Sequence, residues 1–422
     1  MFMAMLMLVG SGLRAQDGTY GGYSPYSVYG IGDLTVQGNA YTRGMGGIGI
    51  ATRNNRYINV VNPAAITARD SLSFMADFGL ENQNKLFRQN EFTSANNTFN
   101  ISNLAFTFPI YRKSAFSVGI SNFSTMGYKF SHKDIDETGI WTSSSSGNGG
   151  MYQVFGGVAV TLFNRLSLGG QALYYFGNID KPTSIVNSNS TYRNFSNGYE
   201  MDLHGFTGKF GIQFDTPLSG GTRLTVGGTY RLGTDLKGKV TDYSFATISS
   251  YQDTVYYKTY SGRQVRIADE IGVGVSLRRG DRWMFEVNYL RSDWTGTGMD
   301  TAVGFANVGQ SKFSAATAQS VRAGFEFIPN INDIRYYLRR CAYRGGIYYD
   351  RSYYKLDGNN VDAVGLTFGV TLPVFRWYNG LSLGVDIGQK GGTGGMMTRE
   401  RYAKFVIGFN IHDIWFRKIQ YN

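Results

Sequence analysis

The chain has 422 residues, with 56 glycines, 30 tyrosines and 29 phenylalanines against only 7 prolines. That composition suits strands and turns and argues against a helical protein. The formal charge of +11 is spread along the chain, with pairs at turns such as Arg112–Lys113, Arg278–Arg279 and Arg339–Arg340. A nucleic-acid face wants clustered cations, so this scatter points instead to anionic lipid headgroups or lipopolysaccharide phosphates.

Met1 to Ala15 reads as a secretory signal: Phe2–Val9 is an unbroken apolar run, and Gly10–Gly12 loosens the chain before a cut after Ala15. The basic stretch that usually precedes such a run is missing. Removing Arg14 with the leader lowers the net charge from +11 to +10. Residues 16–70 do not alternate like a barrel wall. They hold Tyr20, Tyr23, Tyr26 and Tyr29 among glycines, then the glycine-rich run Arg43–Ala51 and the segment Asn62–Pro63–Ala64. A stretch this long ahead of the first strand is too long for an ordinary connection. Its aromatics and glycines predict a folded plug that approaches the wall closely.

From residue 71 to 412 the pattern changes to about fourteen strands, each near the ~9–11 residues that a tilted membrane strand needs. Val364, Leu366, Phe368, Val370 and Leu372 alternate with Ala363, Gly365, Thr367, Gly369 and Thr371. Leu381–Gly388 and Tyr402–Ile411 repeat the alternation. A soluble sheet would need a second layer to cover so much apolar face, and no helix-period segment supplies one. The expected fold is therefore all-β, a transmembrane antiparallel barrel with lipid outside and a polar lumen within.

The links alternate in length. Ile110–Lys113, Phe163–Arg165, Thr216–Gly221, Arg279–Asp281 and Val374–Asn379 are short, and Asn330–Arg340 belongs with them. Lys85–Asn97, Ser131–Gly149, Ile179–Glu200, Val240–Gln264 and Trp294–Ala315 are longer and polar. Outer-membrane barrels have short periplasmic turns and long external loops, which puts both termini, with a tail over 413–422, on the periplasmic side. Phe163, Trp283, Phe375, Trp377 and Tyr378 form one expected aromatic belt. Trp141, Trp294, Tyr348 and Tyr353 form the other.

Parity places Lys209, Arg231, Glu270, Glu286, Arg322, Glu326, Arg344, Asp386 and Lys404 in the lumen, paired with one another, with a plug, or solvated. Phe123, Phe155, Leu173 and Tyr175 are the inward apolar candidates for lining a ligand path. Met299, Val303, Phe305 and Val308 make a candidate landing patch in an external loop. Cys341 stands alone, and His132, His204 and His412 lie far apart, so neither a disulfide nor a metal site is expected. Gly-x-Ser-x-Gly, Walker and His-Glu-x-x-His patterns are missing. Neither enzymatic activity nor a cofactor is expected.

The run Arg43–Ala51, the downstream Asn62–Pro63–Ala64, a barrel start just after it and about fourteen strands together resemble the FadL/OmpP1/TodX-type outer-membrane proteins, in the branch typical of Bacteroidota. The resemblance implies a barrel closed by an N-terminal hatch. Asn62, Pro63 and Ala64 are then the hatch motif, with Gly44, Gly46 and Gly47 in its glycine-rich run. It also implies passive passage of small hydrophobic molecules through the lumen and out sideways, at a kinked third strand. A charged lumen fits that role poorly. It suits an alternative: a non-enzymatic barrel that serves as a subunit or membrane anchor of an outer-membrane protein secretion or assembly complex. An apolar cavity touching residues 43–66 would favour the first role, and a plugged lumen the second. Outer-membrane lipid is an expected partner in both.

Overall fold

A computed structural model describes residues 21–70, 72–111, 113–306, 311–374, 379–393 and 397–414. The leader over 1–15 and most of the tail over 413–422 lie outside them, as do Phe375, Trp377, Tyr378 and Val308. Fourteen antiparallel strands close into one barrel. In chain order they are β1 (Ser73–Gln89), β2 (Phe92–Pro109), β3 (Ser114–Asp136), β4 (Gly139–Leu162), β5 (Leu166–Asn187) and β6 (Asn194–Pro217). Next come β7 (Thr222–Arg231, continued by Thr234–Ile248), β8 (Tyr251–Ile267, continued by Glu270–Arg279), β9 (Trp283–Asp293) and β10 (Phe313–Ala315, continued by Thr317–Phe327). The last four are β11 (Ala342–Leu356), β12 (Asn359–Pro373), β13 (Gly380–Lys390) and β14 (Arg399–Ile414). Closure comes from β14 pairing with β1, Ile407 opposite Leu80 and Phe409 opposite Phe78. A closed sheet leaves no edge to satisfy in lipid.

The alternation predicted for the wall is observed. On β12, Leu366 is 51% exposed on the outside while Thr367 is 2% exposed inside. On β14, Phe405, Ile407, Phe409 and Ile411 face out, and Tyr402, Val406, Asn410 and His412 face in. Strand cores fall where the alternation put them, but most links predicted to be long are strand as well. β3 to β6 each run 22–24 residues, about twice what a membrane crossing needs. Their outer portions meet water on both faces, so apolar alternation stops while the ladder of backbone hydrogen bonds continues. A tight turn at Asp357–Gly358, both at positive φ, closes the β11–β12 hairpin. By contrast β9 and β13 have 11 residues each. The barrel thus has a tall side and a short side.

Residues 21–70 lie inside the barrel. Four short elements order them: the 3₁₀ turn Pro25–Val28, the two-residue strand Asp33–Leu34, the helical turn Ala40–Arg43 and the 3₁₀ turn Pro63–Ala68. Asn39 caps the helical turn by accepting from Thr42 N, and Asn62 caps the last turn by accepting from Ala64 N with Pro63 in the first position. Asn62–Pro63–Ala64 is therefore the start of a 3₁₀ turn.

Candidate functional site

The interior has two layers. Toward the short-turn end and mid-barrel, residues 39–62 dock on a charged wall. Glu286 on β9 accepts from Gly49 N at 3.0 Å and from Ala51 N at 2.9 Å, and it also pairs with the Thr52 hydroxyl. The glycine-rich run thus wraps its amides around a wall carboxylate, as backbone nests do around anions. Gly46 and Gly47 hold φ near +70°, which a side chain would resist. Gly46 N donates to Thr367 Oγ1 at 2.6 Å, and Arg322 Nη1 donates to Gly46 O at 2.8 Å. The wall is glycine where the hatch backbone touches it. A Cβ on Gly346 would lie 2.3 Å from Gly46 N, and one on Gly211 would lie 2.1 Å from Asn62 Oδ1. Gly44 packs against Gly369 in the same way.

Ion pairs complete this layer. Arg344 meets Glu326 at 2.9 Å and lies over the stacked rings of Tyr41 and Tyr57. Arg322 meets Asp350 at 2.5 Å, Arg231 meets Glu270 at 3.6 Å, and Lys404 meets Asp386 at 3.6 Å. The hatch contributes Asp33 to Lys390 at 2.6 Å and Arg43 to Glu81. All the lumen charges named from parity do face inward. Parity does not name Asp350, the partner of Arg322, or the separate pairs Asp33–Lys390 and Arg43–Glu81. Asp33 and Arg43 sit in a stretch without periodicity, and Glu81 and Lys390 lie at the ends of strands predicted too short.

The second layer, toward the long-strand end, is apolar. Tyr26, Val28, Tyr29 and Ile31 of the hatch pack with Phe123, Phe155, Leu173 and Tyr175 of the wall in one buried cluster. Phe123 and Tyr175 have ring centroids 4.5 Å apart. Trp294, Met299 and Phe305, from the link after β9, fold into the same cluster and are fully buried. This corrects two expectations. Met299 and Phe305 are buried and form no landing patch, while Val303 is exposed. Trp294, Tyr348 and Tyr353 are inside the barrel, not in an interfacial belt, because the hatch and the folded-in link give their rings a drier contact than the bilayer surface does. Lys181 on β5 ties this layer together. Its ammonium donates to Val28 O at 2.9 Å and to Gly304 O at 2.9 Å, joining hatch, wall and link.

The third strand is continuous over Ser114–Asp136 but changes partner partway along. β3 pairs with β2 only from Ala115 to Ser121, and its register with β4 slips between Asn122 and Ser124. Beyond that point the freed edge is taken by the hatch. Thr35 N donates to Phe123 O at 2.9 Å, Ser24 N donates to Gly127 O at 2.8 Å, and Asp33 and Leu34 stand opposite Thr125 and Ser124. Asn100 Nδ2 reaches Gly21 O at 2.9 Å from the β2 side. The fork between β2 and β3 is thus occupied.

Among the cavities that the described residues leave, two adjoin residues 21–70. One, of about 300 Å³, lies mid-lumen between Asp33–Gln37 and wall residues that include Lys209, Glu270, Glu400 and Lys404. The other, of about 550 Å³, opens at the short-turn end beneath Arg53 and Arg69. Both are lined mainly by polar and charged side chains. The apolar candidates Phe123, Phe155, Leu173 and Tyr175 line neither.

Comparison with solved structures identifies the fold. The Pseudomonas putida toluene transporter TodX superposes with a TM-score of 0.62 at 15% identity, over 92% of this chain and 100% of that one. The Ralstonia pickettii toluene transporter TbuX gives 0.60 at 14% identity, over 88% and 97%. A Pseudomonas aeruginosa FadL homologue gives 0.57 at 10% identity, over 91% and 99%. No curated protein sequence matches the chain. A family model described as BamG, however, matches residues 1–422. The chain therefore belongs to the BamG family.

Proposed function

We propose that this protein is a plugged, non-enzymatic outer-membrane barrel that serves as a membrane-embedded subunit of an outer-membrane protein assembly complex. One observation carries the reading: residues 21–70 fill the lumen and are tied to the wall through ion pairs and backbone hydrogen bonds, and the mid-lumen cavity beside them is ringed by charged side chains such as Lys209, Glu270, Glu400 and Lys404. A path for hydrophobic molecules needs an apolar pocket with a few placed polar groups. Here the apolar candidates Phe123, Phe155, Leu173 and Tyr175 line neither cavity, and charged side chains ring both. The family name BamG points in the same direction, toward barrel assembly. In this reading both termini face the periplasm, the short-turn end lies at the inner leaflet, and the tall side of β3–β8 stands outside the cell. Lipid and lipopolysaccharide surround the barrel, and other envelope proteins are its partners.

Passive uptake of small hydrophobic molecules is the second reading. The fork between β2 and β3, beside the Phe123–Tyr175 cluster, supports it. Release through that fork would require residues 21–35 to leave it.

One experiment separates the two. Full-length protein is reconstituted in planar bilayers and, in parallel, purified from cells in mild detergent. The subunit reading expects negligible conductance, no saturable toluene binding, and migration as a stoichiometric complex with other envelope proteins. A monomeric species that binds toluene saturably would overturn it in favour of uptake.

A further inference from the structure

The cavity at the short-turn end is built in a way that the hatch does not explain. Its roof is hatch (Arg53, Asn55 and Thr67–Asp70), and its sides are the lumen faces of β3, β4, β6, β7 and β8. Five cationic side chains line it against three carboxylates, an excess of two positive charges. Two of the carboxylates are already engaged. Asp215 is paired with Arg223, and Asp281 is held at 3.0 Å by Arg56, which does not line the cavity.

Arg53, Arg69 and Lys113 make their hydrogen bonds to neutral groups, although Asp215 lies near Arg53 and Asp70 beside Arg69. Arg53 donates to Ser167 Oγ at 2.8 Å, Gln213 Oε1 at 3.0 Å and Thr67 Oγ1 at 3.2 Å. Arg69 donates to the carbonyls of Asp70 and Ser73 at 3.0 Å and of Ser114 at 3.2 Å, and its buried Nε has no partner. Lys113 reaches the Asn164 amide oxygen. Neutral oxygens satisfy donors without neutralising charge, and Asp70 and Asp215 offset the three cations only in part. Elsewhere in this lumen the cations of Arg43, Arg231, Arg322, Arg344 and Lys404 each have a carboxylate. Fixed guanidinium forks around an open space are the usual receptor for an oxyanion, and about 550 Å³ is a ligand-sized volume.

We propose that this vestibule binds a phosphate group, held by Arg53, Arg69 and Lys113. The group has two sources at this end of the barrel: a soluble phosphate, or the headgroup of a bilayer phospholipid. The site is independent of whether the barrel is an assembly subunit or a channel.

The test uses full-length protein in a neutral detergent, titrated calorimetrically with inorganic phosphate and, separately, with dihexanoyl phosphatidylglycerol below its micelle concentration. The proposal expects saturable one-site binding of at least one probe. Binding of inorganic phosphate identifies a soluble ligand, and binding of the lipid alone identifies a headgroup. Arg53→Gln with Arg69→Gln should weaken binding by about tenfold or more. Because those residues also support the hatch, Lys113→Gln at the rim is the second variant and should weaken binding in a barrel whose hatch is untouched. Arg335→Gln, on the exposed Asn330–Arg340 link, should leave affinity unchanged. Absence of saturable binding by either probe, or an equal loss in the Arg335 variant, would overturn the proposal.

Discussion

The two layers of the lumen solve the same problem by opposite means. Both must hold a non-wall segment inside a barrel too wide to fill itself with its own side chains. The outer layer does it with rings: Tyr29 stacks on Phe313 at 5.2 Å, and Trp294 meets Tyr353 at 4.7 Å. The middle layer does it with directed bonds, Glu286 to three hatch donors and Thr367 to a fourth. Apolar packing is tolerant of shape but adds little direction. Buried polar bonding is directional, and a half-satisfied network costs more than none. The comparison suggests that the outer layer supplies most of the adhesion, while the middle layer fixes the register of the hatch on the wall.

Truncation in the outer layer gives the largest expected effect. Trp294→Ala removes a fully buried indole and should destabilise the barrel by about 3–5 kcal/mol. Equilibrium unfolding in detergent measures it. The hatch should remain in register, so conductance should stay low. A conducting Trp294→Ala barrel would show that adhesion and register are not divided between the layers.

Glu286→Ala strikes the middle layer. It leaves Gly49 N and Ala51 N buried without an acceptor, at a cost of about 3 kcal/mol. Here the informative readout is leak: single-channel conductance should rise because the glycine-rich run loses its anchor. Glu286→Gln keeps an acceptor and should fall between the two. Lower stability with no rise in conductance would locate the seal in the outer layer instead.

The lipid face offers a control for both. Leu366→Arg puts a cation into the bilayer and should cost about 2–4 kcal/mol near mid-membrane. Thr367→Arg, one residue on, points at the hatch and removes the acceptor of Gly46 N. The first should lower stability without leak, and the second should leak. Identical behaviour in both assays would undo the inside–outside assignment of β12.

Much of this organisation was legible beforehand. Strand parity on β12 and β14 needs only a side-chain period of two, so the lumen charges from Arg231 to Lys404 were readable one strand at a time. The hatch was readable as a break in that period. What parity does not carry is which charge meets which. Asp33 joins Lys390, more than three hundred residues on, only because the chain turns back through the lumen, and no local pattern encodes that. The link after β9 was misread for a related reason. Its Met299 and Phe305 look like an exposed apolar loop until the hatch supplies the surface that they cover. The Arg53, Arg69 and Lys113 vestibule was invisible for the same reason, since its three cations come from the hatch and a turn.

The smallest effect tests the junction between the layers. Tyr353 is 2% exposed; its ring belongs to the apolar cluster while its hydroxyl donates to Gly32 O at 2.8 Å, next to the Asp33–Lys390 pair. Tyr353→Phe keeps the packing and removes one donor, so it should cost about 1 kcal/mol, near the net value of a single hydrogen bond. If the layers are separate devices, this loss should add to that of Trp294→Ala only partly, because their rings touch, and should add fully to that of Glu286→Ala, which shares no partner with it. Double-mutant cycles in the unfolding assay measure both terms. A strong coupling between Tyr353 and Glu286, with none between Tyr353 and Trp294, would mean that the hatch is held as one continuous network and that the division into two layers is only a division of residue types.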